Sequence, residues 1–242
     1  MKICAAQTRP LKGDIESNIA RHKTFIDLAV ANGAGIIIFP ELSITGYEPE
    51  LAKDLATDAS DRRFDDFQQI SNAKQVTIGI GAPTKHNGGV RISMIIFQPQ
   101  QARLTYSKQY LHEDELPYFI KGDQQVFLSA NDHKMAPAIC YESLVPAHAA
   151  YANGCGAKIY LASVAKSAGG VEKAYKHYPR IAGEYSMTVL MANCVGPCDN
   201  FESVGKTSAW NNKGMLAGQL NDTNEGILVF DTDTGKATEL LL

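Results

Sequence analysis

The chain alternates between short, almost wholly apolar runs and longer stretches in which apolar residues recur every three or four positions. That pattern predicts buried strands alternating with amphipathic helices. Lys2 to Gln7 begins as a strand. Asp14 stands at a helix N-cap position, Ile15, Ile19, Ile26 and Ala29 follow roughly on one face, and Gly33 and Gly35 stop the helix before the run Ile36 to Phe39. A second helix is predicted from about Asp61 to Gln75, where Phe64, Phe67 and Ile70 are three apart, with Val76 to Ile80 as the next strand. Between Val90 and Ser107 the alternation breaks: RISMIIFQP and ARLTYS read as two strands of a hairpin, joined by Pro99 and two glutamines.

The run Met135 to Ile139 leads to Cys140. Beyond it the pattern gives a helix near Pro146 to Asn153, a strand Lys158 to Ala162, a helix near Val171 to Ser186 and a strand Thr188 to Asn193. Gly205 to Trp210 and Gly226 to Phe230 close the sheet as two more strands. Pro137 falls inside what should be a central strand, and because proline cannot donate to a ladder, an irregularity or a free edge is expected there. The whole reads as a layered α/β fold. With 242 residues, 45% of them hydrophobic, and no repeat, low-complexity tract or linker, residues 1-242 are expected to form one domain.

Charge narrows the function. A net charge of −3, with lysines and arginines scattered among acids, offers no basic field for nucleic acid or an anionic membrane. No run of about 18 apolar residues could span a bilayer, and the apolar stretch after Lys2 is too short for a signal peptide, so a cytoplasmic protein acting on a small molecule is expected. Five cysteines, an odd number, fit free thiols better than a disulfide framework. Cys194 and Cys198 have no second Cys or His pair at ligand spacing, so no metal is expected.

Three reactive side chains end separate apolar or β-prone runs: Glu41 after Gly35 to Phe39, Lys108 after Ala102 to Ser107, and Cys140 after Met135 to Ile139. If those runs are strands of one sheet whose ends lie together, an acid, a cation and a thiol share a pocket, which is equipment for acyl transfer. Taken singly, each has an ordinary reading: a packed cysteine, a loop acid, a solvated lysine. Desolvation at the strand end would raise the Glu41 pKa toward the range of a general base. A fixed Lys108 charge would favour an oxyanion and a thiolate. In the acidic run Glu113, Asp114, Glu115, the rigid segment Leu116 to Phe119 could fold Glu115 inward.

The three motifs in this order, FPELSITGY, SKQYL followed by ELPYFIKG, and AICYES, resemble the nitrilase superfamily of carbon-nitrogen hydrolases. The likeness continues through IYLASVAK, VLMAN and GKTSAWNNKG, nearly the whole chain. It implies a four-layer αββα sandwich and a thiol hydrolase without cofactor. It further implies that Cys140 attacks the substrate carbon, Glu41 shuttles the proton, Lys108 and the Tyr141 backbone N-H hold the oxyanion, and Glu115 is the second acid that holds substrate or water. Glu142 matches an acid expected to support Lys108 or Arg180, and Arg180 with Glu184 an expected buried pair. Tyr47, Tyr118, Ser163 and Lys166 are candidate pocket residues. The substrate implied is a small linear amide or carbamoyl compound, with a nitrile ranked second and a silent binding module on the same fold as the reading from another class. A cysteine protease is disfavoured, because His112, His148 and His177 stand in no protease context. Association through the helices flanking the Cys and Arg motifs, as in the superfamily, implies a homodimer.

Overall fold

The computed structural model describes residues 1-130 and 132-242. In chain order the strands are β1 (Lys2–Gln7), β2 (Ile36–Ile38), β3 (Thr77–His86), β4 (Gly89–Phe97), β5 (Leu104–Ser107), β6 (Leu128–Ala130), β7 (His133–Ile139), β8 (Ile159–Val164), β9 (Thr188–Asn193), β10 (Val195–Cys198), β11 (Phe201–Val204), β12 (Ser208–Trp210), β13 (Leu216–Gln219), β14 (Gly226–Asp231) and β15 (Ala237–Leu241). The helices are α1 (Ile15–Ala31), α2 (Ala52–Leu55), α3 (Asp65–Lys74), α4 (Pro146–Gly154) and α5 (Ala168–Tyr185).

These strands form two main sheets rather than one. The first has the order β15-β14-β1-β2-β3-β4-β5 and the second β13-β12-β9-β8-β7-β6, with β10 and β11 as a separate hairpin. Strand phase decides the layers. Along β2, Ile36 and Ile38 face a central core that also takes Met135, Ile139, Leu161 and Leu190 from the second sheet. Ile37 and Phe39 face the opposite way, onto Ile19, Phe25 and Ile26 of α1 and Phe67 of α3. On the second sheet, Ala136, Ala138 and Tyr160 pack outward against Ala149 of α4 and Tyr178 of α5. Helix, sheet, sheet, helix is therefore the layering, because every central strand must bury both faces.

Local chemistry explains most element ends. The Asp14 carboxylate accepts from Ser17 N-H at 3.1 Å and caps α1, as its position predicts. Helix α3 starts later than periodicity predicts, since Arg62–Phe64 form a 3-10 turn before it. Strand β3 runs on to His86, past the predicted end at Ile80, pairing with β4 through Lys85↔Val90 and His86↔Gly89. Pro137 meets the expected free edge: β6 pairs only as far as Met135, so the missing donor falls where its neighbour has stopped. The Pro137 carbonyl, which points to that same side, accepts from Gln125 Nε2 at 2.9 Å.

One buried bond ties the two sheets together beside the strand ends. Ser163 Oγ on β8 donates to the Phe39 carbonyl at the end of β2, 2.8 Å away. Ser163→Ala deletes a buried donor at the seam, and urea unfolding should show a loss of about 1–3 kcal/mol.

Candidate active site

The sheets pack so that the carboxyl ends of their parallel strands open onto one cavity, the place where α/β folds commonly bind ligands. Glu41 follows β2 and Lys108 follows β5 in the first sheet, while Cys140 follows β7 in the second. The three side chains thus meet across the seam, and not along one sheet as the apolar runs alone suggested.

Two of the turns are strained. Cys140 has φ +47° and Leu42, next to Glu41, φ +50°, a region that side chains with a Cβ seldom occupy. Such a turn at Cys140 lifts the thiol out of the strand line and opens a short 3-10 helix, Cys140–Leu144, whose first N-H groups have no partner within the helix. The Glu41 turn is braced from below. Ile44 N-H donates to Gly81 O at 3.0 Å and Gly81 N-H to Ser43 Oγ at 3.2 Å, and a Cβ on Gly81 would overlap the Pro40 carbonyl and the Leu42 nitrogen. Gly122 does the same for Lys108: its N-H donates to Lys108 O at 2.7 Å, and a Cβ there would overlap the Ser107 carbonyl.

Lys108 is fully buried between two carboxylates. Its Nζ donates to Glu41 Oε1 at 2.7 Å and to Glu115 Oε1 at 2.5 Å. Glu115 also accepts from Tyr47 OH at 3.1 Å and, through Oε2, from the His112 N-H at 2.8 Å. Glu41 Oε2 is the exception, being buried without a hydrogen-bond partner; the nearby Cys140 opposes the rise of its pKa, and the thiol itself donates to the Ala165 carbonyl at 3.5 Å.

The electrostatics follow from this burial. Desolvation lifts the Glu41 pKa to about 6, against the pull of Lys108. Burial works to strip the proton from Lys108, but Glu41 and Glu115 outweigh it and its pKa rises. The Cys140 thiol is pushed up to about 12 by burial and by Glu41, with Lys166 and Lys108 opposing. At neutral pH the sulfur is therefore a neutral thiol beside an ionised carboxylate, an arrangement in which the acid takes the proton as the sulfur attacks.

Glu142 joins the Cys and Lys segments. Its Oε1 accepts from Tyr106 OH at 2.6 Å and Ile139 N-H at 2.7 Å, and its Oε2 from Gln109 N-H at 2.7 Å and Tyr110 N-H at 3.3 Å. Burial raises its pKa to about 7, with those donors opposing. The expected bond to Lys108 or Arg180 is not what it makes: it holds backbone on both sides of the site. Arg180 and Glu184 are exposed on α5 rather than a buried pair.

The cavity measures about 260 Å³ and is walled by Tyr47, Glu115, Cys140, Tyr141, Lys166 and Phe201, among others. Two sequence candidates lie elsewhere. Tyr118 is exposed and lines a different groove with Lys53 and His86, because after Glu115 turns inward it is Phe119 that buries. Ser163 is spent on the Phe39 carbonyl. Phe201, on the β10-β11 hairpin, was missed; it packs edge-on against Tyr47 at 5.6 Å. Two of the histidines have other partners: His112 bonds Asp114 at 2.7 Å, and buried His148 bonds Tyr106 at 3.0 Å and Tyr160 at 2.7 Å.

The family model for carbon-nitrogen hydrolase matches residues 2–240. A glutamine-dependent NAD(+) synthetase from Aquifex aeolicus is 24% identical over 98% of this chain and 43% of its own length, and one from Acinetobacter baylyi 31% identical over 57% and 26%. The chain thus spans less than half the length of these curated relatives. Among solved structures, the amidase of Nesterenkonia sp. AN1 superposes with a TM-score of 0.87 at 22% identity, covering 96% of this chain and 92% of that one. A variant of that amidase carries acrylamide added to its active-site cysteine.

Gly81→Ala should push the Glu41 turn out of place without touching the thiol. Alkylation of Cys140 by iodoacetamide at pH 7, followed by mass spectrometry on protein of native near-UV circular dichroism, should slow by about 10- to 100-fold.

Proposed function

The chain belongs to the carbon-nitrogen hydrolase family, and from that premise we propose that it is a thiol amidase cleaving the C-N bond of a small linear amide or carbamoyl compound. The observation that carries this reading is the buried Glu41–Lys108–Glu115 cluster beside Cys140, with one oxygen of Glu41 left free. A cavity of about 260 Å³ suits a substrate of few atoms.

In this mechanism Glu41 takes the thiol proton as Sγ attacks the amide carbon. The resulting oxyanion is met by the Lys108 ammonium and the Tyr141 N-H at the start of the 3-10 helix. Collapse breaks the C-N bond, and Glu41 returns the proton to the departing ammonia or amine, leaving an acyl group on sulfur as a thioester. Water then attacks the thioester, Glu41 again accepting the proton; the acid leaves and the thiol is restored. Lys108 keeps its charge throughout. Glu115 fixes that charge in place, with Tyr47 steadying the carboxylate. A nitrile would engage the same residues, adding water twice instead of once.

A second reading draws on the synthetase relatives: release of ammonia from glutamine for use by another catalytic unit. It predicts that glutamine is the preferred amide.

An ammonia-release assay over small amides, carbamoyl acids, glutamine and nitriles tests all of these. Turnover should vanish in Cys140→Ala and fall by about 10²- to 10⁴-fold in Glu41→Gln. The base must be ionised, so kcat/KM should decline about tenfold per pH unit below the Glu41 pKa of about 6. An unaltered rate in Cys140→Ala, or a profile flat down to pH 4, would refute the scheme.

A further inference from the structure

Among the described residues, Lys166 is the one buried cation at the cavity that this scheme leaves idle. It follows β8, is only 5% exposed, and lies on the second sheet's side of the pocket. Its Nζ sits 3.8 Å from Cys140 Sγ and 3.5 Å from the Cys140 carbonyl oxygen. Among the described residues no carboxylate comes within ion-pairing distance of it, whereas Lys108 has two. Of the pocket's acids, Glu115 is held by Lys108 and Tyr47, and Asp114 is exposed and bonded to His112. A buried ammonium without a counter-charge is costly, and the resting site offers this one only long contacts to the Cys140 carbonyl and sulfur.

The fold nevertheless builds this position with care. The Lys166 N-H donates to Asn193 Oδ1 at 2.8 Å, and its carbonyl accepts from Asn193 Nδ2 at 3.2 Å, Ser203 Oγ at 3.0 Å and Val204 N-H at 3.2 Å. Gly170 leaves room for the stem: a Cβ there would come within 3.2 Å of Lys166 Cβ. A lysine merely covering the surface needs none of this.

We propose that Lys166 selects the substrate by its charge: it receives a carboxylate on the acyl group, so the preferred substrate is the monoamide of a short dicarboxylic acid. This deepens the amidase reading and rests on it. The ammonium lies so near the sulfur that only a carboxylate within a few bonds of the scissile carbon can meet it, which points to one or two methylene groups between them. Lys108 and Lys166 then divide the labour. The first faces the oxyanion that forms and decays, and the second an anion present throughout, so its effect falls on the choice of substrate.

Two matched pairs test this. Succinamate and butyramide differ mainly in a terminal carboxylate, and iodoacetate and iodoacetamide form the same contrast among thiol alkylators. Wild-type kcat/KM should favour succinamate over butyramide, and alkylation of Cys140 should favour iodoacetate over iodoacetamide relative to a free thiol. In Lys166→Met both ratios should collapse by about 10- to 100-fold, the range of a charged hydrogen bond, and Lys166→Arg should restore part of the preference. Ratios cancel any change in the thiolate itself. If both members of each pair slow together in Lys166→Met, the lysine acts on the sulfur and the proposal fails; a wild-type enzyme that prefers butyramide to succinamate, or favours iodoacetate no more than a free thiol does, sinks it without any variant. Should neither amide release ammonia, the amidase reading is what fails, and the alkylation pair still passes judgement on Lys166.

Discussion

A lysine ammonium buried between two carboxylates is the constraint on which the site depends. Neither Lys108 nor Glu41 could stay charged so deep alone, since desolvation would neutralise each. Together with Glu115 they hold one net negative charge in a fixed geometry, and the contest between burial and Lys108 leaves Glu41 a base near neutrality. The rest of the local structure serves that triad. Gly81 and Gly122 admit the backbone closely enough to place Glu41 and Lys108, and the Glu142 carboxylate ties the Lys segment to the Cys turn.

Much of the site was legible in the chain because reactive residues follow apolar runs. Glu41, Lys108 and Cys140 each end such a run, and the structure brings all three together with Glu115. What could not be read was which sheet each strand joins. An apolar run records that both faces are buried, not which neighbour buries them. Strand phase carried more than was taken from it: Ser163 shares parity with Ile159 and Leu161, whose side chains face the other sheet, so its hydroxyl reaches Phe39 instead of the cavity.

Turns were less legible still. Tyr118 and Phe119 are adjacent aromatics after a 3-10 turn, and a one-residue difference in phase decides which buries. The β10-β11 hairpin was invisible for a similar reason. Gly196 and Pro197 interrupt any strand pattern, yet this hairpin brings Phe201 to Tyr47. Lys166 stood out as a pocket candidate from sequence, but its lack of a carboxylate neighbour is a property of three dimensions only.

The register of β1 carries a consequence for how the molecule is made. One flank of β1 is filled by β2, a few dozen residues on, but the other is filled by β14, with Lys2 opposite Asp231 and Gln7 opposite Gly226. During synthesis β1 therefore keeps an unpaired margin until β14 has emerged. Closing that loop carries the entropy of a contact spanning most of the sequence, which makes completion of the first sheet a late and slow step. Until then, that bare edge is the place where a nascent chain is most open to pairing with the wrong strand.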